Sequence, residues 1–245
     1  MPTKLSVNVN KIATLRNTRA LNLPSITHLA KIAIDAGAHG ITVHPRPDQR
    51  HIRPQDVIDL AALLKSHPSI EFNIEGNPFI DYVPHVETTR PAQCTLVPDT
   101  PEAFTSNQGW AIRANFDRLK AMIGELKPIC GRVSIFMDAD SPDIELAREV
   151  GADRIELYTE PYAVAFAKGG DTLKRSLDLY RSAAERAHKV GLGVNAGHDL
   201  NTQNLPAFVQ TVPDVDEVSI GHALIADALE FGMAETVRRY LAVLR

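Results

Sequence analysis

A (β/α)8 TIM barrel is the fold this sequence predicts. Three observations predict it: the length of the chain, the regular alternation of strand-like with helix-like runs, and a polar stripe along strands that ordinarily would be apolar on both faces. The 245 residues fit the roughly 250 of an eight-unit barrel built as one domain. No linker, low-complexity tract or composition shift divides the chain, so residues 1–245 are expected to form a single catalytic barrel.

Strand-like runs lie near Leu5 to Val9, Gly40 to His44, Ile70 to Ile74, Ala92 to Val97, Arg132 to Phe136, Arg154 to Leu157, Gly193 to Asn195 and Glu217 to Ile220. Units of about 30 residues leave room for a crossover helix between successive strands, which makes the strands parallel. An open doubly wound sheet is the alternative, but it normally has fewer strands and leaves two edges.

The helices are marked by their ends. Ser141-Pro142 offers a capping hydroxyl before a proline at the first helical position, and Gly151 a left-handed stop; Ser25 and Gly37 bracket an earlier helix in the same way. From Thr172 to Val190, the residues Leu173, Leu177, Tyr180, Ala184 and Ala187 fall at helical spacing and form one apolar stripe. The run Gly37-Ala38-His39-Gly40-Ile41-Thr42-Val43 is echoed by Gly151-Ala152-Asp153-Arg154-Ile155-Glu156-Leu157, as a repeated unit would be.

Parallel strands covered on both faces read as nearly continuous Val, Ile and Leu. These do not. Leu5, Val7 and Val9 alternate with Ser6, Asn8 and Asn10, and Ile70, Phe72 and Ile74 with Glu71, Asn73 and Glu75. Thr42 and His44, and Glu156 and Tyr158, share the polar side of their strands. With the apolar set against the helices, the polar set points into the barrel. Carboxylates there would cost several kcal/mol each in a dry core, about the scale at which a wet functional cavity becomes the cheaper arrangement. A polar interior satisfied by its own hydrogen bonds is the alternative; it suits Ser6 and Thr42 better than Glu71, Glu75, Glu156 or His44.

Composition narrows the function classes. A net charge of -4 argues against a nucleic-acid surface, while local arginines can still hold small anions. No apolar run approaches a transmembrane length, and no secretory signal opens the chain. Cys94 and Cys130 have neither zinc-site nor disulfide-framework spacing, so a reduced cytoplasmic setting is expected.

Chemistry in a barrel concentrates at the C-terminal strand ends. His44 stands there in Val43-His44-Pro45-Arg46-Pro47-Asp48, where an imidazole serves as a general base and Arg46, Arg50 and His51 add donors for an anion. The alternative for His44 is a merely hydrogen-bonded histidine. Asn195-Ala196-Gly197-His198-Asp199-Leu200 ends the seventh strand, and Ser219-Ile220-Gly221-His222-Ala223 the eighth, leading into a helix. Loops after these two strands commonly hold phosphate at a helix N-terminus, although Gly221 is equally compatible with a tight turn. The irregular stretch from Asp99 to Trp110 suits an active-site loop. No metal is expected, since the first strand offers Asn8 and Asn10 rather than paired histidines. Lys11, the one lysine at a strand end, keeps a Schiff-base aldolase in play.

Together these segments resemble the pyridoxine 5'-phosphate synthase family over essentially the whole chain. The resemblance rests on Asn8-Val9-Asn10-Lys11-Ile12-Ala13-Thr14-Leu15-Arg16-Asn17, Gly40-Ile41-Thr42-Val43-His44, Arg50-His51-Ile52, Ser134-Ile135-Phe136-Met137-Asp138-Ala139-Asp140, Asn195-Ala196-Gly197-His198 and Ile220-Gly221-His222, in the same order. It implies condensation of 3-amino-2-oxopropyl phosphate with 1-deoxy-D-xylulose 5-phosphate to pyridoxine 5'-phosphate, phosphate and water, by acid-base catalysis without a cofactor. It also implies a homo-octamer. His44 would be the principal proton acceptor, Glu71 and His198 further acid-base groups, and Glu156 the stabiliser of a charged transition state. Asn8, Arg19, Asp199, Gly221 and His222 would surround the amino-ketone phosphate. Asn10, Lys11, Arg46, His51 and Thr105 would surround the deoxyxylulose phosphate. Asn10-Lys11 stands where many members carry Asp-His, and Asp199 where many carry glycine.

Two other functions remain compatible with the residues alone. One is a phosphosugar aldolase or isomerase on the same barrel; the other is a barrel that binds phosphorylated metabolites without turning them over.

Overall fold

Alternation of polar and apolar residues along parallel strands gives each strand one side for the helices and one for the barrel interior. The computed structural model describes residues 2–244, and in it eight parallel strands close into a barrel in sequence order. They are β1 (Lys4–Asn8), β2 (Gly40–Val43), β3 (Glu71–Gly76), β4 (Gln93–Leu96), β5 (Arg132–Met137), β6 (Arg154–Tyr158), β7 (Gly193–Gly197) and β8 (Val215–Ile220). β8 returns to β1 with Leu5 opposite Val218 and Val7 opposite Ile220, so the sheet has no edge and the doubly wound alternative is excluded. Outward residues such as Leu5, Val7, Ile41, Val43, Ile74, Leu96, Ile135, Ile155 and Val218 are buried in one core with the helices.

The helix Ile26–Asp35 begins where Ser25 accepts a hydrogen bond from the His28 N–H (3.2 Å) and ends before Gly37, whose φ of +107° favours glycine. The apolar stripe predicted from Thr172 to Val190 lies on a helix over Gly170–Lys189, with Tyr180, Ala184 and Ala187 buried against the barrel. Two segments differ from expectation. After Ser141-Pro142 the chain winds through i to i+3 bonds before a single helical turn at Leu146–Glu149; the Arg186 side chain binds the Ser141 and Pro142 carbonyls and the Glu145 carboxylate, drawing this turn towards the neighbouring helix. β1 stops at Asn8, and Asn10 opens a helix over Asn10–Asn17 rather than continuing the strand.

The interior is polar, and most of it is closed by its own hydrogen bonds. Ser6 shares a hydroxyl hydrogen bond with Thr42 (2.7 Å), Asn73 donates to Thr42 (3.3 Å), and Thr95 donates to Asn73 (3.0 Å). Gln93 donates to Glu217 (3.1 Å) and accepts from Asn195 (3.1 Å) and Arg132 (2.7 Å). At the N-terminal mouth Glu71 binds Lys4 (2.6 Å) and Arg132, while Arg154 binds Asn195 (3.0 Å) and Asp216 (3.4 Å). The self-satisfied interior therefore holds for most of the lower barrel, carboxylates included, although the buried Ser134 hydroxyl has no partner.

This corrects the expectation for Glu71. It opens β3, at the end of the barrel opposite the active-site rim, and its carboxylate is committed to two cations. Burial alone would raise its pKa, but the Arg132 and Lys4 bonds outweigh that and hold it down to about 2. A lowered carboxyl pKa contributes stability that is complete above its ordinary value of 4.5 and is lost as pH falls towards 2. Glu71→Gln should cost about 1–3 kcal/mol of stability at neutral pH, as removal of a charged hydrogen-bond partner does. The cost should fade below the ordinary carboxyl range, and kcat should stay within about twofold because the site is untouched. Denaturant melts at several pH values with parallel kinetics check this; a large loss of kcat at unchanged stability would return Glu71 to the chemistry.

Candidate active site

Each strand delivers its last inward residue, or the residue just beyond, to the C-terminal mouth. From β2 comes His44, buried, with its backbone N–H donated to the Asn10 carboxamide oxygen (2.9 Å). Asn10 thus fastens the helix after β1 to the end of β2. From β3 comes Glu75, four residues beyond Glu71 on the same face and about 13 Å further along the strand. Its Oε2 lies 3.8 Å from His44 Nδ1 and accepts from Asn8 (3.4 Å), and its Oε1 accepts from Ser219 of β8 (3.3 Å). From the loop after β4 comes Asp99, 3.9 Å from His44 Nε2, holding the Arg46 guanidinium and the Ser106 hydroxyl (2.6 Å). His44 therefore stands between two buried carboxyl groups.

The electrostatics set the resting protonation. Burial is the largest influence on His44, followed by Arg46, and together they push its pKa well below 6.5, so the imidazole is neutral and free to accept a proton. Glu75 moves the other way: burial, with Asp99 and Glu217 adding like charge, pushes it up to about 8 against the lowering bond from Ser219. Glu156, on β6, is raised well above its ordinary value by burial, then by Glu75 and Glu217; its Oε2 is buried without a hydrogen-bond partner. Gly197 on β7 lies against Glu156 so closely that any Cβ there would collide with Oε1.

His198 follows β7 with φ of +83°, its ring packed edge-on to Tyr158 (centroids 5.2 Å) and tilted against Phe136 (5.5 Å). Burial lowers its pKa, against Asp199, Asp99 and Glu160, which raise it. His51 lies 6.3 Å from His44 between ring centroids; its Nδ1 accepts from the Ile52 N–H (2.9 Å), and burial, Arg46 and Lys11 lower its pKa to about 4. A neutral His51 with Nδ1 so occupied carries its proton on Nε2, as a donor.

Around this centre the mouth is lined with groups for anions. Arg46 and Arg50 reach across to the loop after β4, donating to the carbonyls of Ala103 (2.8 and 2.9 Å), and Arg50 also to Pro101 (3.0 Å) and Phe104 (3.2 Å). A cleft of about 260 Å³ lined by His44, Pro45, Arg46, Pro47, Asn77, Ile80, Asp99, Thr100 and Pro101 opens between these loops. A broader cleft of about 640 Å³ lies beyond Asn77, beside Phe79, Trp110 and Arg118, and carries no acid-base pair. Gly221 caps the helix His222–Phe231 and packs on Asn8, whose carboxamide would stand 3.3 Å from a Cβ placed there. Lys11, Arg19, Thr105, Asp199 and His222 are exposed. Among the described residues no cluster of His, Cys, Asp or Glu is arranged to hold a metal ion.

Of the residues singled out from sequence, His44, Glu156, His198, Asn8, Asn10, Arg46, His51 and Gly221 gather at this mouth and Glu71 does not. Sequence reasoning missed the roles of Glu75, Asp99 and Ser219. The signal was present: each is the final polar residue of its strand or the first beyond it, the position used to single out His44.

Residues 5–245 match the family described as pyridoxal phosphate biosynthesis protein PdxJ. This chain belongs to that family. Curated relatives agree with the PdxJ assignment along the full length: pyridoxine 5'-phosphate synthase of Albidiferax ferrireducens is 54% identical, covering 98% of this chain and 97% of that protein. The protein of the same name from Porphyromonas gingivalis is 51% identical, covering 97% of each. Two solved structures are similar to this PdxJ-family chain in fold alone. Tryptophan synthase from M. tuberculosis, in its aminoacrylate- and BRD0059-bound form, has a TM-score of 0.69 at 10% identity over 100% of this chain and 93% of that one. Phosphoribosyl anthranilate isomerase from Thermus thermophilus has 0.59 at 13% identity over 99% and 98%.

The contact between Gly197 and Glu156 offers a direct check on the site's tolerance. Gly197→Ala should displace the Glu156 carboxyl by a fraction of an ångström and lower kcat by roughly ten- to a hundredfold, with the barrel still folded. Steady-state kinetics with circular dichroism measure both; an unchanged kcat would show that Glu156 has no fixed duty.

Proposed function

We propose that this chain is a pyridoxine 5'-phosphate synthase, condensing 3-amino-2-oxopropyl phosphate with 1-deoxy-D-xylulose 5-phosphate to pyridoxine 5'-phosphate, phosphate and water. The observation that carries the reading is the neutral His44 set between Glu75 and Asp99 beneath a mouth rich in phosphate donors, in a chain of the PdxJ family. Ring closure of this kind moves protons on carbon and oxygen several times, and a site with one group ready to accept and another ready to donate suits it. His44 takes protons. Glu75, protonated in the resting site, gives one and takes it back, the duty that sequence alone had placed on Glu71. His198 serves as a second acid-base group across the mouth. Glu156, whose Oε2 has no partner, becomes the countercharge for a cationic imine when it releases its proton.

The substrate amine supplies the nitrogen, so no enzyme lysine is required, and Lys11 on the exposed start of its helix is assigned to phosphate rather than to a Schiff base. With it, Asn10, Arg46, His51 and Thr105 surround the deoxyxylulose phosphate. Asn8, Arg19, Asp199, Gly221 and His222 surround the amino-ketone phosphate at the N-terminus of the helix His222–Phe231. The whole chain acts as one catalytic unit, in the cytoplasm and as a homo-octamer. Free Cys94 and Cys130 accord with that setting, and no helix among the described residues is long and apolar enough to cross a membrane.

Both substrates mixed with the protein should yield the pyridine chromophore and free phosphate together, and His44→Ala should lower kcat by about 10²–10⁴. The dependence of kcat/KM on pH should fall on the acid side only below 6.5, where the depressed His44 gains a proton, and on the alkaline side near 8, where Glu75 loses one. Chromophore absent with both substrates intact would exclude the synthase. Borohydride trapping of a substrate on Lys11 would favour an aldolase.

A further inference from the structure

The end of β6 and the turn after it, Tyr158-Thr159-Glu160, have no duty in the proposed chemistry, yet they contact both the backbone and the ring of His198. Thr159 is wholly buried. Its backbone N–H donates to the Gly197 carbonyl (2.9 Å), and its hydroxyl faces two successive carbonyls at once, Gly197 (2.6 Å) and His198 (2.5 Å). Carbonyls of adjacent residues converge on one donor only where the chain bends sharply. The bend here is the left-handed backbone of His198 and Asp199, with φ of +83° and +57°. Neither residue is glycine, so the conformation is unfavourable by itself and persists only where neighbours impose it. The next contact is to the ring: Tyr158 packs edge-on against the imidazole, and Glu160 binds the Tyr158 hydroxyl. The Tyr158 carbonyl is in turn held by the Tyr180 hydroxyl, tying the turn to the long outer helix.

We propose that Thr159 is a positioning residue for His198: its hydroxyl fixes the left-handed backbone that aims the imidazole into the mouth, while Tyr158, held by Glu160, fixes the ring. Thr159 touches no reacting atom in this account and acts only through His198. The inference rests on the reading of His198 as an acid-base group, and the two can fail separately.

Thr159→Val keeps the side-chain shape and removes the hydroxyl, and Thr159→Ser keeps the hydroxyl and removes the methyl. Kinetics of both are measured in the parent and in a His198→Ala background. In the parent, Thr159→Val should lower kcat at least about tenfold while both KM values stay within about twofold, the pattern of a displaced acid-base group. Thr159→Ser should retain kcat within about twofold. In the His198→Ala background Thr159→Val should cost nothing further, because the residue it positions is gone. The same loss in both backgrounds, or full activity of Thr159→Val, overturns the inference. A fully active His198→Ala overturns the reading beneath it instead.

Glu160→Gln, at the more tolerant rim, decides the matter if Thr159→Val does not fold. The charged and titratable groups facing His198 are Asp199 beside it, Asp99 after β4, Arg46 and His44 after β2, Tyr158 at the end of β6 and Glu160 after it. Removing the Glu160 charge while keeping a hydrogen-bond partner for Tyr158 should move the kinetic limb that disappears in His198→Ala to lower pH. A limb that does not move means the turn is not coupled to His198.

Discussion

The inside of a parallel barrel is a packed core rather than a pore, so every polar group that its strands turn inward must find a partner there or be left wanting one. The rest of this structure follows from how that requirement is met. Through the lower barrel it is met almost completely, the buried Ser134 hydroxyl excepted: Ser6, Thr42, Asn73 and Thr95 bond in a chain, and Gln93, Asn195, Arg132, Arg154, Glu71 and Glu217 form a charged plug. At the upper mouth it is met poorly. Glu75 has only two long bonds, at 3.3 and 3.4 Å, and Glu156 has an oxygen with none. The well-bonded floor is what allows the mouth to stay under-bonded without the barrel opening.

Poor satisfaction in a buried site decides protonation. Where Lys4 and Arg132 are at hand, Glu71 keeps its charge to about pH 2; where they are absent, burial leaves Glu75 protonated to about pH 8. The two carboxyls are four residues apart on one face of one strand, and their opposite behaviour comes from cations that bond Glu71 directly, whereas Arg46, the cation near Glu75, is bound to Asp99. The same burial strips the proton from His44. A base and an acid, each in its uncharged form, then stand 3.8 Å apart. Uncharged groups are the cheapest to keep in a low-dielectric cavity, and they are the forms general acid-base catalysis uses.

Much of this was legible in the sequence. The barrel, all eight strands and the inward polar face could be read from spacing and alternation, because those patterns are set by the pleat and by the need for two apolar layers. His44 and His198 were legible because they end strands. Glu71 and Glu75 were not distinguishable by alternation, since a period of two places both inside. Distance along the barrel axis separates them, and that depends on where β3 begins and ends, the least reliable feature of a sequence pattern. Asp99 carried the same signal more weakly, as the first polar residue after β4 in a stretch whose irregularity marked only a loop. The role of Thr159 depends on a sharp bend at His198 and Asp199, after the neighbouring strand, and no pattern local to Thr159 signals it.

The central claim, that the mouth of the barrel stores an acid and a base as an uncharged pair, comes down to whether Glu75 holds a proton at neutral pH. Infrared difference spectra between the parent protein and Glu75→Gln, taken across a pH series, read that proton through the carbonyl stretch of an undissociated carboxylic acid. The account predicts this band in the parent at pH 7, absent from the variant, and converting to the carboxylate band with a midpoint near 8. A carboxylate band at pH 7, with conversion only in the ordinary acidic range, would contradict it.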